Sequence, residues 1–409
     1  MKSEQRVPIG YRSTPLGTIP NDWEIVRFID VADIDKESLN GDTPKDYSFD
    51  YISLSDVDCD DFKIETTRQV FATAPSRARR IVKKGDILMA TVRPNLQGFS
   101  IIRDNVQNLI ASTGFAVISC KYCNNEFLFQ YLFSSGISQQ FYQLLVGSNY
   151  PAINSSDVKK LKLPLPILQE QIAIANCLST WDKSISATSV LISQKELRKM
   201  WLIKQLLTGK KRLTGYKEPW QEVRIGDVTT NFSRRNKDLV NAKVYSVTNT
   251  NGFVLQSEHF ERDIAGEDLS NYKIIKKNEF AYNPARINVG SIAYFTEEIG
   301  VISSLYVCFS TKKELLDYYL LQFLQLEHTK HRIGSLGEGG VRIYLWYDLF
   351  AKLRIELPSI EEQTAIARVL QSADKEIILL KDMLAKLKEQ KKGLMQILLT
   401  GKKRLTVKN

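Results

Sequence analysis

Leu206-Leu207-Thr208-Gly209-Lys210-Lys211-Arg212-Leu213-Thr214 returns unchanged 192 residues later, at 398–406. The match extends backwards: residues 166–214 align with 358–406 without a gap, sharing 21 of 49 positions, far above chance. Self-similarity at a fixed offset marks a repeated architecture. A weaker match opens each half, where Trp23-x-x-Val26-Arg27-x-x-Asp30-Val31 parallels Trp220-x-x-Val223-Arg224-x-x-Asp227-Val228. Between these anchors the halves diverge, and KKGDILMATVRPN (83–95) only faintly echoes KKNEFAYNPARIN (276–288). The chain therefore divides into a tail (1–22), a variable block (23–165), a constant block (166–214), a linker (215–219), a second variable block (220–357) and a second constant block (358–409). An old duplication without present consequence would account for the likeness of the constant blocks. It would not account for two similar scaffolds carrying two dissimilar surfaces.

The constant blocks predict long helices. In the second, Ile366, Leu370, Ala373, Ile377, Leu380, Leu384, Leu387, Lys391, Leu394 and Leu398 follow alternating steps of four and three. That heptad seam asks for a facing helix. The first copy places Ile174, Leu178, Trp181, Ile185, Thr188, Ile192, Lys195, Lys199, Leu202 and Leu206 at the same positions, with a less apolar second half. Ser359-x-x-Glu362 has the capping-box pattern, and Ile167 stands where a cap would help the first helix. Gly209 and Gly401 suit a left-handed stop. About 40 residues per helix gives roughly 60 Å at 1.5 Å per residue. Packing of the two helices on each other, antiparallel, would relate the halves by an approximate two-fold axis; each helix packing on its own variable block is the alternative. Leu191, Leu197, Met200, Trp201, Ile203, Leu379, Met383, Met395 and Ile397 lie off the seam. They ask either for another subunit's helices or for burial under the chain's own blocks.

The variable blocks read as α+β. Residues 51–54, 87–92, 115–119, 292–295 and 305–309 have strand character; 127–145 and 314–326 have helical spacing. Their loops are basic and amide-rich. The first block offers Arg77, Arg79 and Arg80, then Arg93, Asn95 and Gln97, then Asn149 and Tyr150. The second offers Arg234 and Arg235, then Asn283, Arg286 and Asn288, then Arg342 and Tyr344 after a glycine run. Arginine can bond guanine O6 and N7 together, and asparagine or glutamine can do the same for adenine N6 and N7. Surrounding lysines and arginines would hold phosphates without reading sequence. For any one of these residues a solvated surface is the better explanation than a base contact; the loops carry weight as sets.

Composition narrows the function. The chain has 409 residues with a formal charge of +10, which favours a polyanionic partner. Its length allows two or three domains. It lacks an apolar run long enough to span a membrane, and MKSEQRVPIGYRS lacks the apolar core of a secretory signal. Five cysteines and three histidines predict a reducing, cytoplasmic setting without a disulfide scaffold, and leave little room for metal or histidine chemistry. Asn283-Pro284-Ala285-Arg286 lacks the second proline and the aromatic of an adenine methyltransferase motif. Gly334-x-x-Gly337-x-Gly339-Gly340 lacks a strand-to-helix setting, and no GxxxxGK[ST] occurs. Glu389-Gln390-Lys391 has a nuclease-like tail but falls on a long helix. Cys120-x-x-Cys123 and His328-x-x-His331 lack the remaining ligands of a zinc site. The chain is expected to catalyse nothing itself.

Two copies of one signature carry a family resemblance. They read Leu163-Pro164-Leu165-Pro166-x-x-Gln169-Glu170-Gln171-x-x-Ile174 and Leu357-Pro358-x-x-Glu361-Glu362-Gln363-x-x-Ile366. Each continues to Leu-x-x-x-Asp-Lys (Leu178, Asp182-Lys183; Leu370, Asp374-Lys375) and closes with LLTGKKRL. In these, and from Trp23 to Thr406, the chain resembles the specificity subunit of Type I restriction–modification systems. The resemblance implies two target recognition domains, each reading one half of a bipartite, asymmetric site on double-stranded DNA. It implies that the helices, paired through Leu178, Trp181, Ile185, Ile192 and Leu202 against Leu370, Ile377, Leu380, Leu384, Leu387 and Leu394, fix the gap between half-sites. They would also dock two methylation subunits. It implies no cofactor in this chain, S-adenosylmethionine in the methylation subunits, and ATP with magnesium in motor–nuclease subunits. A methylation-only system, a two-subunit restriction enzyme and a coiled-coil scaffold that reads no DNA are the alternatives.

Overall fold

The computed structural model describes residues 7–58, 63–144, 151–239, 242–259, 269–336 and 344–406. They form two units, Met1–Val190 with Lys381–Asn409, and Leu191–Leu380. Each unit holds one variable block and a portion of both long helices.

In the first unit the variable block folds into two four-stranded sheets. Its strands are β1 (Ala32–Ile34), β2 (Ser48–Ile52), β3 (Thr67–Val70), β4 (Ala78–Val82), β5 (Ile87–Ala90), β6 (Phe99–Ile101), β7 (Leu109–Ser112) and β8 (Phe115–Cys120). The orders are β1-β8-β5-β6 and β3-β2-β7-β4. β2 and β7 pair in parallel; the other neighbours are antiparallel. Residues of β5 and β7 are buried without alternation, so these runs face apolar neighbours on both sides. A separate antiparallel pair, Glu24–Arg27 with Lys162–Leu165, joins the two ends of the block where it enters the helix. The core gathers Trp23, Phe28, Phe115, Phe127, Phe129 and Leu163 with Leu178 and Leu398 of the helices.

The second unit has β9 (Thr229–Phe232), β10 (Val244–Val247), β11 (Phe253–Leu255), β12 (Lys273–Lys276), β13 (Phe280–Tyr282), β14 (Ile292–Tyr294), β15 (Ile299–Ile302) and β16 (Val307–Thr311). Its orders are β9-β16-β13-β14 and β11-β10-β15-β12, with β10 and β15 parallel. This is the first block's topology strand for strand. Gln221–Arg224 pairs with Arg354–Leu357 at its ends. Its core combines Phe280, Tyr282, Phe309, Tyr319 and Phe350 with Leu206, Ile366 and Leu370.

Several local expectations are corrected. The helix expected over 127–145 breaks into Asn125–Tyr131 and Ser135–Leu144. Ser134 makes the break by accepting the Ile137 N–H on its Oγ at 3.3 Å, as a helix cap does. The segment expected over 314–326 becomes Asp317–Phe323, followed by Glu327–Leu336. Ser359 caps the second long helix by accepting the Glu362 N–H at 3.3 Å. The Glu362 carboxylate, however, is bound by Arg212 and Trp220, so it serves tertiary structure.

The long helices are α1 (Leu168–Leu206) and α2 (Ile360–Leu398). Leu178, Ile185, Ile192, Leu370 and Ile377 are buried; Trp181, Leu202, Leu380, Leu384, Leu387 and Leu394 are half-buried. Within each unit the two helices run antiparallel, and the same bonds recur with the helices exchanged. In the first unit Arg404, beyond α2, donates to Glu170 at 2.6 and 2.7 Å, and Lys391 reaches Asp182 at 2.5 Å. In the second, Arg212, beyond α1, donates to Glu362 at 3.0 and 2.5 Å, and Lys199 reaches Asp374 at 2.5 Å. Trp23 and Trp220 donate their indole N–H to Glu170 and Glu362, each at 3.2 Å. Gln171 and Gln363 accept the backbone N–H of Asn124 and Leu316 at 2.8 and 2.9 Å. The polar half of the α1 seam thereby acquires its reason: Lys195 and Lys199 face Glu376 and Asp374.

Both helices stop at a left-handed glycine, Gly209 with φ 66° and Gly401 with φ 68°. The backbone N–H groups of Lys211 and Lys403, one residue past the usual donor of such a stop, reach back to the carbonyls of Gln205 and Ile397 at 3.1 Å, and Gly401 donates to the Leu398 carbonyl at 3.2 Å. Among the off-seam residues, Ile203 and Met395 are buried in the unit cores, while Leu191, Leu197, Met200, Trp201, Leu379 and Met383 are exposed. Among the described residues no helix is long and apolar enough to cross a membrane.

Candidate nucleic-acid interface

In the first unit a short turn follows β5. Arg93 opens the 3-10 turn Pro94–Leu96, and Gln97 closes it by donating to the Pro94 carbonyl at 3.0 Å. Arg93 and Gln97 both have positive φ, 51° and 57°. Left-handed backbone in non-glycine residues costs on the order of 1 kcal/mol each and gathers at functional sites. Neighbouring backbone holds the turn: Arg93 donates its N–H to Pro151 at 2.8 Å, and Val92 bridges to Ala152. Arg93 and Asn95 are exposed and Gln97 is half-buried.

The turn between β7 and β8 brings a second basic stretch to this place. Thr113 donates to the Arg77 carbonyl at 2.8 Å, and Thr91 donates to the Gly114 carbonyl at 2.9 Å. Arg77 is exposed. Arg79 lies over the Phe71 ring at 4.8 Å and donates to the Ala78 carbonyl. Arg80 is tied inward, paired with Asp35 at 3.0 Å. Asp35 also accepts the Val117 N–H at 2.9 Å and the Ser155 hydroxyl, so Arg80 builds the fold around the loops. Asn149 and Tyr150 lie outside the described residues.

The second unit repeats the arrangement after β13. Arg286 opens the 3-10 turn Ile287–Val289, and Gly290, with φ 94°, closes it by donating to Ile287 at 3.0 Å. Arg286 and Asn288 are exposed. The Asn283 amide oxygen accepts the Ala285 N–H at 3.0 Å, so this side chain shapes the turn. Leu345, buried, donates to the Pro284 carbonyl at 3.0 Å and sets Tyr344 and Trp346 beside it. Those two rings stack with centroids 6.2 Å apart and planes 10° off parallel. Arg234 lies over Phe232 at 4.1 Å and pairs with Glu279; Arg235 donates to Asn271 at 3.0 Å. Phe232, Ser233, Lys273 and Trp346 line one open cavity of about 570 Å³, which joins the Arg234 stretch to the aromatic pair. Arg342 lies outside the described residues.

Trp346 escaped sequence reading, although its alternation with Tyr344 around Leu345 was a visible signal. The other groups weighed for chemistry sit in unreactive surroundings. The Cys120 thiol is pushed up by its hydrogen bond with Cys123 and by burial, which keeps it protonated. Burial, with Arg332 nearby, lowers the His328 pKa and holds the ring neutral. Among the described residues no group of three or more His, Cys, Asp or Glu side chains could hold a metal ion.

Comparison with known proteins fits this duplicated arrangement. The family described as "Type I restriction modification DNA specificity domain" matches twice, at residues 20–194 and 217–389. A Methanocaldococcus jannaschii protein, provisionally named the type I restriction enzyme MjaX specificity subunit, is 23% identical over 97% of both chains. A solved chain described under complex assembly and conformational transition of the type I R-M system superposes with a TM-score of 0.61. It is 21% identical, and the match covers 94% of this chain and 99% of that one. The type I restriction–modification S subunit from M. genitalium superposes with a TM-score of 0.56 at 16% identity, covering 94% and 98%. With its two family matches falling on the two halves of the repeat, the chain belongs to the type I restriction–modification DNA specificity family.

Proposed function

We propose that this specificity subunit reads a bipartite, asymmetric site on double-stranded DNA. Each variable block contacts one half-site through the turn opened by Arg93 or Arg286. The single observation that carries this reading is the recurrence of one exposed arginine–asparagine turn, at the same place in the same topology, in two blocks of different sequence. Equivalent scaffolds would present different residues to two different half-sites. An approximate two-fold relation between the halves belongs to this reading, supported by the exchange-related bonds of Glu170 with Arg404 and Glu362 with Arg212. So does an antiparallel coiled coil of α1 and α2 that sets the gap between half-sites.

The chain contributes recognition and scaffold. Two methylation subunits, carrying S-adenosylmethionine, would dock on the helices, whose exposed Leu197, Met200, Leu379 and Met383 offer apolar surface. Motor–nuclease subunits using ATP and magnesium would join through that complex, in the cytoplasm. Equal whole-turn insertions in α1 and α2 test the ruler. They should lengthen the permitted gap and leave both half-sites unchanged when methylated sites are sequenced; an unchanged gap contradicts it.

A further inference from the structure

We infer that Leu96 and Val289 are apolar reading tips, each packing against the C5-methyl group of a thymine in its own half-site. The inference rests on the DNA-reading function proposed above. The two reading turns correspond residue for residue: Arg93-Pro94-Asn95-Leu96 and Arg286-Ile287-Asn288-Val289. In each, the arginine opens the turn, the second residue is buried, and the third and fourth are exposed. The residue after the turn takes a positive φ, and its carbonyl accepts from the first residue of the next strand, Phe99 at 2.7 Å and Ile292 at 2.8 Å. The apolar tips are 60% and 57% exposed.

A single exposed leucine on a protein surface needs no explanation. Two apolar residues at the same vertex of two divergent blocks, each beside an exposed arginine and asparagine, do. Each turn presents a cation with paired donors, an amide that both donates and accepts, and an aliphatic group. The major-groove edge presents the complementary set: guanine acceptors, the adenine donor–acceptor pair and the thymine methyl. Positive charge beside the tip draws it to the phosphate-lined groove. Insertion as a wedge between bases is the competing mode; the short, β-branched Val289 fits a methyl contact better than unstacking.

Uracil lacks only the C5-methyl of thymine, which makes it the probe. The full chain, alone and co-purified with its methylation partner, would select from random duplex libraries made with thymine or with uracil. Affinities of the enriched duplexes would follow, for wild type, Leu96→Ala and Val289→Ala. Both side chains are exposed, so the alanine variants leave the cores intact. Wild type should lose roughly fourfold in affinity, the worth of one buried methyl, when uracil replaces the contacted thymine in one half-site, and roughly fifteenfold when it does so in both. Leu96→Ala should abolish that discrimination in one half-site and Val289→Ala in the other, with preference at neighbouring positions retained. Equal affinity of wild type for both duplexes, or uracil discrimination that survives in both variants, overturns the inference while leaving sequence reading intact. A wild-type chain that enriches no motif from either library overturns it through its premise.

Discussion

Replacing Lys391 by methionine removes one charge from the helix seam and keeps the length of the side chain. Lys391 and Asp182 are 10% and 14% exposed and 2.5 Å apart. Breaking a buried pair by removing one partner costs about 3–5 kcal/mol. Here the Gln130 amide still donates to Asp182 at 2.6 Å. A hydrogen bond to a charged group recovers part of that cost, so Lys391→Met should lose about 2–3 kcal/mol. Methionine also keeps the contact with the Phe133 ring, 5.9 Å from the ammonium. Asp182→Asn, which takes the carboxylate away from the buried lysine, should lose a similar amount. The double variant leaves no buried charge, and the carboxamide introduced by Asp182→Asn can still accept from Gln130; it should return to within about 1 kcal/mol of wild type. Equilibrium urea unfolding, followed by the fluorescence of the buried Trp23, measures this. With a slope of about 2–3 kcal/mol per molar, each single variant should move the midpoint by about 1 M and the double variant far less. Losses that add within about 0.5 kcal/mol would refute a coupled pair.

Gly401→Ala should cost more than Gly209→Ala. Both meet a positive φ, worth about 1 kcal/mol, but a Cβ at Gly401 would lie 2.5 Å from Pro20, against 3.5 Å from Trp220 at Gly209; equal midpoint shifts would contradict this. Arg404, hydrogen-bonded to Asp22, holds that carboxyl below its usual range. The resulting stability is fully present above about pH 4, where an unfolded aspartate is ionised, and fades as pH falls through the lower folded value. Arg404→Gln should therefore flatten the stability profile below about pH 4 in thermal unfolding, and an unchanged acid limb would count against the pair. Arg286→Ala should relax base preference in one half-site by about 1–3 kcal/mol. Arg234→Ala should lower stability with base preference retained, because its guanidinium is bound to Glu279; the reverse pattern in binding selections would exchange their roles.

The long helices, their glycine stops and the seam were legible because each depends on local spacing. Lys195 and Lys199 looked like flaws in that seam, since their partners Glu376 and Asp374 lie almost a helix repeat away in sequence. The common topology of the two variable blocks was not legible. Pairings such as β2 with β7 are non-local, and their apolar runs show burial without naming a neighbour. The placement of the candidate contact residues was partly legible. Arg93, Asn95, Arg286 and Asn288 stand exposed on equivalent turns, whereas Arg80 and Arg234 are held by acids 45 residues distant. Leu96 and Val289 were passed over, because an isolated apolar residue in a polar loop has no periodicity to reveal it.

In the proposed function the two variable blocks read independently. Replacing residues 23–165 with the corresponding block of another family member, and sequencing methylated sites in cells carrying the exchanged chain, tests this independence most directly. One new half-site is expected, with the other half-site and the gap retained. Alteration of both half-sites together would contradict it.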